Sequence, residues 1–202
     1  MPAPRPAKPP SKSAIGHAPG KVRIIGGQWK RTPLAVPQME GLRPTPDRVR
    51  ETVFNWLFTL RGALEGARCL DLFAGTGALG LEAASRGAAP VVLVERDAKL
   101  AAALTAACIK LKAAQVQVRQ GDALMALRSL AGPFDLVFLD PPYGKNLLAP
   151  ALAAIAPVTS FLAQDALVYA EDDAPLAFAG WEVVRQDRAG AVHYGLLRRA
   201  NP

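Results

Sequence analysis

The sequence has few of the residues that build metal centres or disulfide frameworks. Its 202 residues include two cysteines and two histidines, and no metal-ligand spacing surrounds Cys69 or Cys108. We therefore expect reduced thiols and no bound metal. No run approaches the roughly 18 apolar residues of a membrane span, and the N-terminus lacks the apolar centre of a secretion signal. These absences predict a cytoplasmic protein without a membrane segment, long enough for one full hydrophobic core.

Positive charge is concentrated in the first quarter of the chain. Residues 1–50 hold 10 Lys and Arg against 2 acids, whereas residues 51–202 hold 14 against 15. Basic side chains that meet phosphates release condensed counterions and so gain affinity without reading a sequence. The asymmetry favours a polyanionic partner. A solvated basic tail is the alternative interpretation.

The basic region divides into two parts of different composition. Residues 1–20 are rich in Pro, Ala, Lys and Ser, which predicts a disordered extension. Residues 21–45 contain short apolar runs broken by glycine and proline, which predicts a folded arm or hairpin. This arm carries the candidate RNA-binding residues Arg23, Lys30 and Arg31. Trp29 could stack on an unpaired base, although packing against the main domain is the favoured interpretation.

Residues 46–202 show the pattern of an α/β domain. Pro46 opens a helix for which Thr45 is a candidate cap, because proline is tolerated in a first turn. Beyond it, apolar strands alternate with helices, which indicates a mainly parallel, Rossmann-like sheet covered on both faces. Residues 181–199 hold two strand-like runs with no helix between them, which predicts an antiparallel hairpin at one sheet edge. The predicted strands are 67–73, 90–95, 116–123, 134–140 and 165–171, and the predicted helices are 77–87, 97–112, 123–130 and roughly 147–163.

Ligands of such sheets bind beyond the carboxyl ends of the strands, so the residues that follow each strand are the candidate site. After the first strand, Gly75, Gly77 and Gly80 form a GxGxxG pattern that lets backbone N–H groups approach a ligand. Glu95 follows the second strand, where a carboxylate can accept both hydroxyl protons of a ribose. Asp122 follows the third strand and suits the exocyclic amine of an adenine. Together they predict a cofactor that contains a nucleoside.

The fourth strand ends in Asp140, Pro141, Pro142 and Tyr143. A dinucleotide-dependent oxidoreductase would need a general acid beside a hydride acceptor, and the sequence offers none. Methyl transfer to an exocyclic amine instead needs acceptors for the amine protons, which Asp140 and the Pro141 carbonyl can provide. The prolines hold these acceptors in place, and Tyr143 can stack on a base withdrawn from its helix. The motif therefore predicts methylation of a nucleic-acid base.

The stretches "DLFAGTGALGLEA", "GDA" and "DPPYGK" resemble class I S-adenosylmethionine-dependent methyltransferases that act on base amino groups. "RIIGGQWKRTPL" and "LRPTPDRVRETVFNWL" resemble more specifically the RsmD family, the bacterial 16S ribosomal RNA guanine-N2 methyltransferases. The resemblance covers about residues 21–199. It implies a seven-stranded sheet with a reversed last hairpin. It also implies that S-adenosyl-L-methionine is held by the family's cofactor positions: Asp71, Phe73, Gly75, Thr76, Gly77, Glu95, Asp122 and Ala123.

By the same resemblance, Asp140 to Tyr143 form the catalytic motif, and the family's Arg-Pro-Thr element falls on Arg43, Pro44 and Thr45. Arg43 and Thr45 are then expected to position the RNA. The implied partners are ribosomal RNA and the small ribosomal subunit, with a monomer as the expected state.

Three alternatives stay open at this point. Asp71 could cap the turn that follows it rather than contact cofactor. The same strand-end motif would suit an adenine-N6 DNA methyltransferase, although the chain shows no evident domain for reading a DNA sequence. A noncatalytic RNA-binding assembly factor is the third interpretation, and the joint presence of Gly75, Gly77, Glu95 and Asp140 argues against it.

Overall fold

A computed structural model describes residues 22–37 and 45–200. The predicted extension at residues 1–20 and Arg43 lie outside these described residues. Within them, no helix has the length and apolar character needed to cross a bilayer. The elements in chain order are β1 (Val22–Arg23), β2 (Pro33–Leu34), α1 (Asp47–Arg61), β3 (Cys69–Asp71), α2 (Gly80–Ser85), β4 (Val91–Glu95), α3 (Ala98–Leu111), β5 (Val116–Gln120), α4 (Ala123–Leu127), β6 (Phe134–Leu139), α5 (Leu148–Ile155), β7 (Leu162–Asp172), β8 (Trp181–Ala189) and β9 (Val192–Arg199).

The main sheet has seven strands in the order β5-β4-β3-β6-β7-β9-β8. Strands β3 to β7 pair in parallel, whereas β9 runs antiparallel to both β7 and β8. The strand order reverses between β3 and β6, which is the switch point where open α/β sheets bind ligands. The predicted sheet and its antiparallel C-terminal hairpin are confirmed.

Alternate strand residues enter two separate cores on opposite faces of the sheet, as the two-residue period of a strand requires. On β6, Leu136 and Phe138 pack in one core, while Val137 and Leu139 pack in the other. The first core also contains the apolar face of α1, including Val53. Residues of α2 and α3 belong to the same core. The second core takes α5 and part of α4. We call the first of these the α1 face of the sheet.

The two short strands β1 and β2 pair antiparallel and attach to the α1 face through Glu82 on α2. The carboxylate of Glu82, which is fully buried, accepts hydrogen bonds from the backbone N–H groups of Ile25 (2.6 Å) and Gly26 (2.8 Å). Arg86 and the buried Arg50 pair with the same carboxylate at 2.8 and 3.5 Å. Arg50 Nη1 also donates to the Arg23 carbonyl. These contacts fix the position of the basic hairpin relative to the domain.

Three local expectations are wrong. Thr45 does not cap α1: Pro46 occupies the N-cap position without a side-chain hydrogen bond, and the Thr45 hydroxyl is directed elsewhere. Helix α5 ends at Ile155 rather than near residue 163, because Pro157 cannot continue it. Helix α2 begins at Gly80 rather than residue 77, because Gly75 and Gly77 at φ +53° and +78° shape a turn before it.

Candidate active site

Three neighbouring strands end in carboxylic acids on the same face of the sheet. Asp71 is the last residue of β3, Asp140 follows β6, and Glu171 lies near the end of β7. The register pairs Asp71 with Phe138 and Leu139 with Ala170, which sets Asp140 beside Glu171. Since Phe138 and Tyr169 face α1, the residues two positions further along their chains, Asp140 and Glu171, face it as well. The sheet thus gathers three acids at its switch point.

Asp140 is held by the segment that precedes α1. Thr45 Oγ1 donates to Asp140 Oδ2 over 3.1 Å, and Thr45 itself is buried. Asp140 keeps part of its surface exposed. Even so, burial of the carboxyl group and the nearby charge of Glu171 raise its pKa well above the usual value, and the Thr45 hydrogen bond opposes that rise. A carboxyl group of this kind is a good proton acceptor whenever it is ionised.

The residues after Asp140 form a loop that faces solvent. Pro141 is partly exposed, Pro142 is exposed, and the side chain of Tyr143 is 69% exposed. An aromatic ring with so much free surface is available to stack on a base. The loop turns back at Gly144, which adopts φ +69°. The order of the predicted motif, an acid held at the sheet edge followed by an open aromatic, is therefore present.

Sequence analysis missed Glu171 and its neighbour Tyr169. The Tyr169 hydroxyl donates to Glu171 Oε1, and Tyr169 is fully buried on the α1 face. Burial raises the pKa of Glu171 above its usual value, while the Tyr169 hydrogen bond and the nearby Thr45 hydroxyl oppose that rise. The signal was available in the sequence, because "LVYAE" ends an apolar strand in an acid just as "LVFLD" does.

The predicted glycine loop lies between β3 and α2. Gly75 and Gly77 have positive φ. A Cβ on Gly77 would stand 2.6 Å from the Leu104 side chain of α3, so a residue other than glycine would strain the backbone and displace that leucine. Thr76 is buried within the loop, and Phe73 packs partly buried against the second core. This turn leaves backbone groups close to the carboxyl end of β3, as a cofactor loop requires.

Asp71 fits both of the interpretations left open by the sequence. Its Oδ2 accepts a hydrogen bond from the Gly80 N–H over 2.9 Å, which fixes the glycine loop to the start of α2. Its Oδ1 is buried and has no hydrogen-bond partner among the described residues. Burial raises the pKa of Asp71 to about 7, against the lowering effect of the backbone N–H groups of Gly80 and Phe73. Of these two groups only the Gly80 N–H has the geometry of a hydrogen bond. Asp71 therefore organises the loop and keeps one acceptor atom unused.

Glu95 joins the glycine loop to the end of β4. Its Oε2 accepts from the Gly75 N–H over 2.8 Å and its Oε1 from the Asp97 N–H over 2.7 Å. Each carboxylate oxygen can accept a second hydrogen bond, so Glu95 keeps the capacity to bind two hydroxyl groups. Asp122 caps α4 by accepting from the Met125 N–H over 3.1 Å, and its side chain is exposed beside the buried Ala123. Carboxylates at the ends of β4 and β5 suit the hydroxyl and amine groups of a nucleoside.

The predicted RNA-binding residues that the structure describes occupy two places, the β1–β2 hairpin and the segment before α1. Arg23, Lys30 and Arg31 are exposed on the β1–β2 hairpin, and Arg23 Nε pairs with Asp47 at 3.1 Å. Trp29 is partly buried against the first core, which agrees with its favoured interpretation as a packing residue. Thr45 contacts Asp140 instead of facing outward. The described residues contain no group of three or more His, Cys, Asp or Glu side chains arranged to hold a metal ion.

Comparisons with known proteins bear on this arrangement. Residues 22–198 match the family described as "Conserved hypothetical protein 95". The chain is 42% identical over 184 residues to "Ribosomal RNA small subunit methyltransferase D" of Escherichia coli K12, covering 89% of this chain and 91% of the relative. It is 39% identical over 189 residues to the protein of the same name in Haemophilus influenzae, covering 90% and 96%.

Solved structures agree with the observed sheet. The protein yhhF from Escherichia coli, described as a candidate methyltransferase, superposes with a TM-score of 0.78 at 40% identity. The match covers 89% of this chain and 98% of that one. The shared architecture is the Rossmann-like sheet of class I methyltransferases, with its antiparallel strands at the C-terminal edge.

Proposed function

This chain belongs to the RsmD family, and on that basis we propose that it methylates ribosomal RNA of the small subunit with S-adenosyl-L-methionine as the methyl donor. We further propose that the acceptor is the exocyclic N2 amine of one guanine, presented on a small-subunit particle. The observation that carries the proposal is Asp140, held by Thr45 at the sheet's switch point and followed by two prolines and the exposed Tyr143.

The acidic edge fits the proposed cofactor. The buried Oδ1 of Asp71 lacks a hydrogen-bond partner among the described residues. The glycines of the Gly75–Gly77 turn let the backbone come close to a ligand, and the N–H groups of both already donate, to Glu95 and to the Ala74 carbonyl. Glu95 would bind the ribose hydroxyls, and Asp122 with Ala123 would bind the adenine. S-Adenosylmethionine supplies a methyl group activated on a positively charged sulfur, so the chain needs no metal for the transfer.

The chain's own task is to orient the amine and to take its proton. The lone pair of a base amine is delocalised into the ring, so acceptors that hold its protons make the nitrogen more reactive. Asp140 and the Pro141 carbonyl are the proposed acceptors, and Tyr143 is the proposed stacking platform. When nitrogen gains a methyl group it must lose one proton, and the Asp140 carboxylate is placed to receive it. Because burial raises the pKa of Asp140, the transfer should slow as acid pH protonates this group.

The test is Asp140→Ala, assayed with labelled S-adenosylmethionine on small subunits from cells that lack the protein. Loss of the proton acceptor should reduce turnover by at least about 100-fold, while cofactor affinity measured by calorimetry should change little. The product nucleoside is identified by mass spectrometry. N2-methylguanosine in ribosomal RNA supports the proposal. N6-methyladenine in duplex DNA, or loss of cofactor binding in the variant, contradicts it.

We also propose that residues 21–45 form an RNA-binding arm and that residues 46–202 form the methyltransferase domain, with Arg43 assigned to substrate binding on the resemblance alone. Replacing Arg23, Lys30 and Arg31 by Ala should weaken RNA binding and flatten its salt dependence by roughly 2 in the log–log slope. Replacing Arg185 and Arg188, exposed cations of β8, is the control. An unchanged slope in the triple variant would mean that the arm is a solvated basic segment that does not contact RNA.

A further inference from the structure

The acid beside Asp140 has no role in the proposed methyl transfer. Glu171 is neighbour to Asp140 across β6 and β7, where the register pairs Leu139 with Ala170. The Thr45 hydroxyl donates to Asp140 Oδ2 over 3.1 Å, and it lies close enough to Glu171 to lower the pKa of that acid. Tyr169 fixes Glu171 from the opposite side through its own hydroxyl. Four side chains thus lie in one row, Tyr169, Glu171, Thr45 and Asp140, with hydrogen bonds between the first two and between the last two.

Counting protons along this row limits the charge it can carry. A threonine hydroxyl has one proton and can donate it to only one acceptor at a time. If Thr45 donates to one carboxylate, its second hydrogen bond requires a proton from the other acid. Both bonds form together only when Asp140 and Glu171 hold at least one proton between them, so the pair carries at most one negative charge. Two adjacent carboxylates also repel each other in a buried setting, which favours the same state.

We propose that Glu171 is a positioning residue that shares one proton with Asp140 through the hydroxyl of Thr45. The shared proton keeps one net negative charge on the pair, while Thr45 and Tyr169 fix the orientation of both acids. Asp140 is then held facing the acceptor amine instead of turning away from a charged neighbour. This inference rests on the proposed function, because it assigns Glu171 a part in the same reaction.

The groups around the pair favour retention of the shared proton. Asp71 faces Asp140 from β3, Tyr169 lies beside Glu171 on β7, and Tyr194 faces Tyr169 from β9. Each would add negative charge if it ionised. Burial is the largest cause of the raised pKa of both Asp140 and Glu171, with the charge of Glu171 the next cause for Asp140. Proton sharing therefore has support from the geometry of the row and from its surroundings.

The decisive measurement needs neither cofactor nor RNA. The protonated-carboxyl stretching band is followed by infrared spectroscopy against pH in the wild-type protein, Asp140→Asn and Glu171→Gln. Two interacting acids titrate as a pair, so removal of either should move the midpoint of the remaining acid to lower pH by about one unit or more. Glu182→Gln removes an exposed carboxyl from β8 and should leave those midpoints unchanged. Unmoved midpoints in both single variants would overturn the proposal.

Conservative variants separate positioning from packing. Glutamine at position 171 can still accept from Tyr169 and donate to Thr45, so Glu171→Gln should fold and keep its cofactor affinity. Its acid limb in the plot of kcat against pH should move to lower pH by about one unit, because Asp140 has lost a charged neighbour. Thr45→Ser keeps a hydroxyl and should keep the coupled midpoints in the infrared titration, whereas Thr45→Val should lose the coupling. A wild-type pH profile in Glu171→Gln would mean that Glu171 only packs beside Asp140 and does not influence its protonation.

The infrared result also separates this inference from the proposed function. If the methylated product proves to be a different nucleoside, the assignment of substrate fails while shifted midpoints still establish proton sharing. If N2-methylguanosine forms but the midpoints are unmoved, the function stands and the role of Glu171 falls.

Discussion

Replacing Asp71 by Asn should change how the stability of the protein depends on pH. Burial raises the pKa of Asp71 from 3.8 to about 7, so the folded protein binds this proton more tightly than the unfolded chain. Stability gained from the proton is complete at pH below the unfolded pKa and is lost as pH rises through the folded pKa. The asparagine side chain of the variant cannot titrate, and its amide oxygen can still accept from the Gly80 N–H.

The size of the effect follows from the two pKa values. Each unit of difference corresponds to about 1.4 kcal/mol. Between about pH 5 and about pH 8, ionisation of Asp71 should therefore cost the wild-type protein about 2.5 kcal/mol of unfolding free energy. The difference in stability between Asp71→Asn and wild type should shift by that amount in favour of the variant across this range. Asp140 and Glu171 titrate in both proteins, so their contributions cancel except for the effect of the Asp71 charge on the pKa of Asp140, which is the smallest of the causes that shift it.

Urea denaturation followed by tryptophan fluorescence at a series of pH values measures this difference, with Glu182→Gln as the control for an exposed acid. The control should parallel wild type throughout. If the Asp71→Asn curve also runs parallel to wild type, then Asp71 is ionised at ordinary pH in the folded protein. The buried, unpartnered oxygen would in that case have to be stabilised by a further group that offsets the cost of burying its charge.

Two further predictions concern the attachment of the basic hairpin. Glu82→Gln should destabilise the protein by about 3–5 kcal/mol in urea denaturation, because it leaves the buried Arg50 without its full countercharge; a loss below about 1 kcal/mol would refute this. Gly27→Ala would place a Cβ 1.8 Å from the Ser85 carbonyl oxygen at φ +75°. This variant should lose about 1–3 kcal/mol more unfolding free energy than Gly190→Ala. Gly190 has a similar φ, but no atom lies within 4 Å of the position of its added Cβ. Equal losses of stability in the two variants would contradict the close approach at Gly27.

The sequence could predict the sheet because the relevant signals are local. Apolar runs such as "VVLVE" and "FDLVFL" specify strands buried on both faces, and the helices between them force parallel pairing. The boundaries of the helices were less accessible. Pro157 decides where α5 ends, and the sequence alone shows this proline. The positive φ of Gly77 decides where α2 begins, and the sequence does not fix that backbone conformation.

The candidate site could be predicted only in part, because the sequence does not show which strands lie side by side in the sheet. Asp140 was recognised through the prolines that follow it, whereas Glu171 has no such motif. Its importance comes from strand order, since β7 lies beside β6 and the register sets Glu171 next to Asp140. Thr45 shows the same limit. Its position before Pro46 suggested a helix cap, but its hydroxyl is used by a residue 95 positions away in the chain.

Glu82 and the three acids at the strand ends differ in how fully their charge is compensated. Glu82 receives two backbone N–H groups and two guanidinium groups, which suits a structural role. Within residues 22–37 and 45–200, no ion pair reaches Asp71, Asp140 or Glu171. Leaving three carboxyl groups near one another without cations costs stability. That cost is reasonable at a site whose proposed ligands bring a sulfonium charge and an amine that donates protons. The same chain thus neutralises the acid that attaches its hairpin and leaves uncompensated the acids that would meet its substrates.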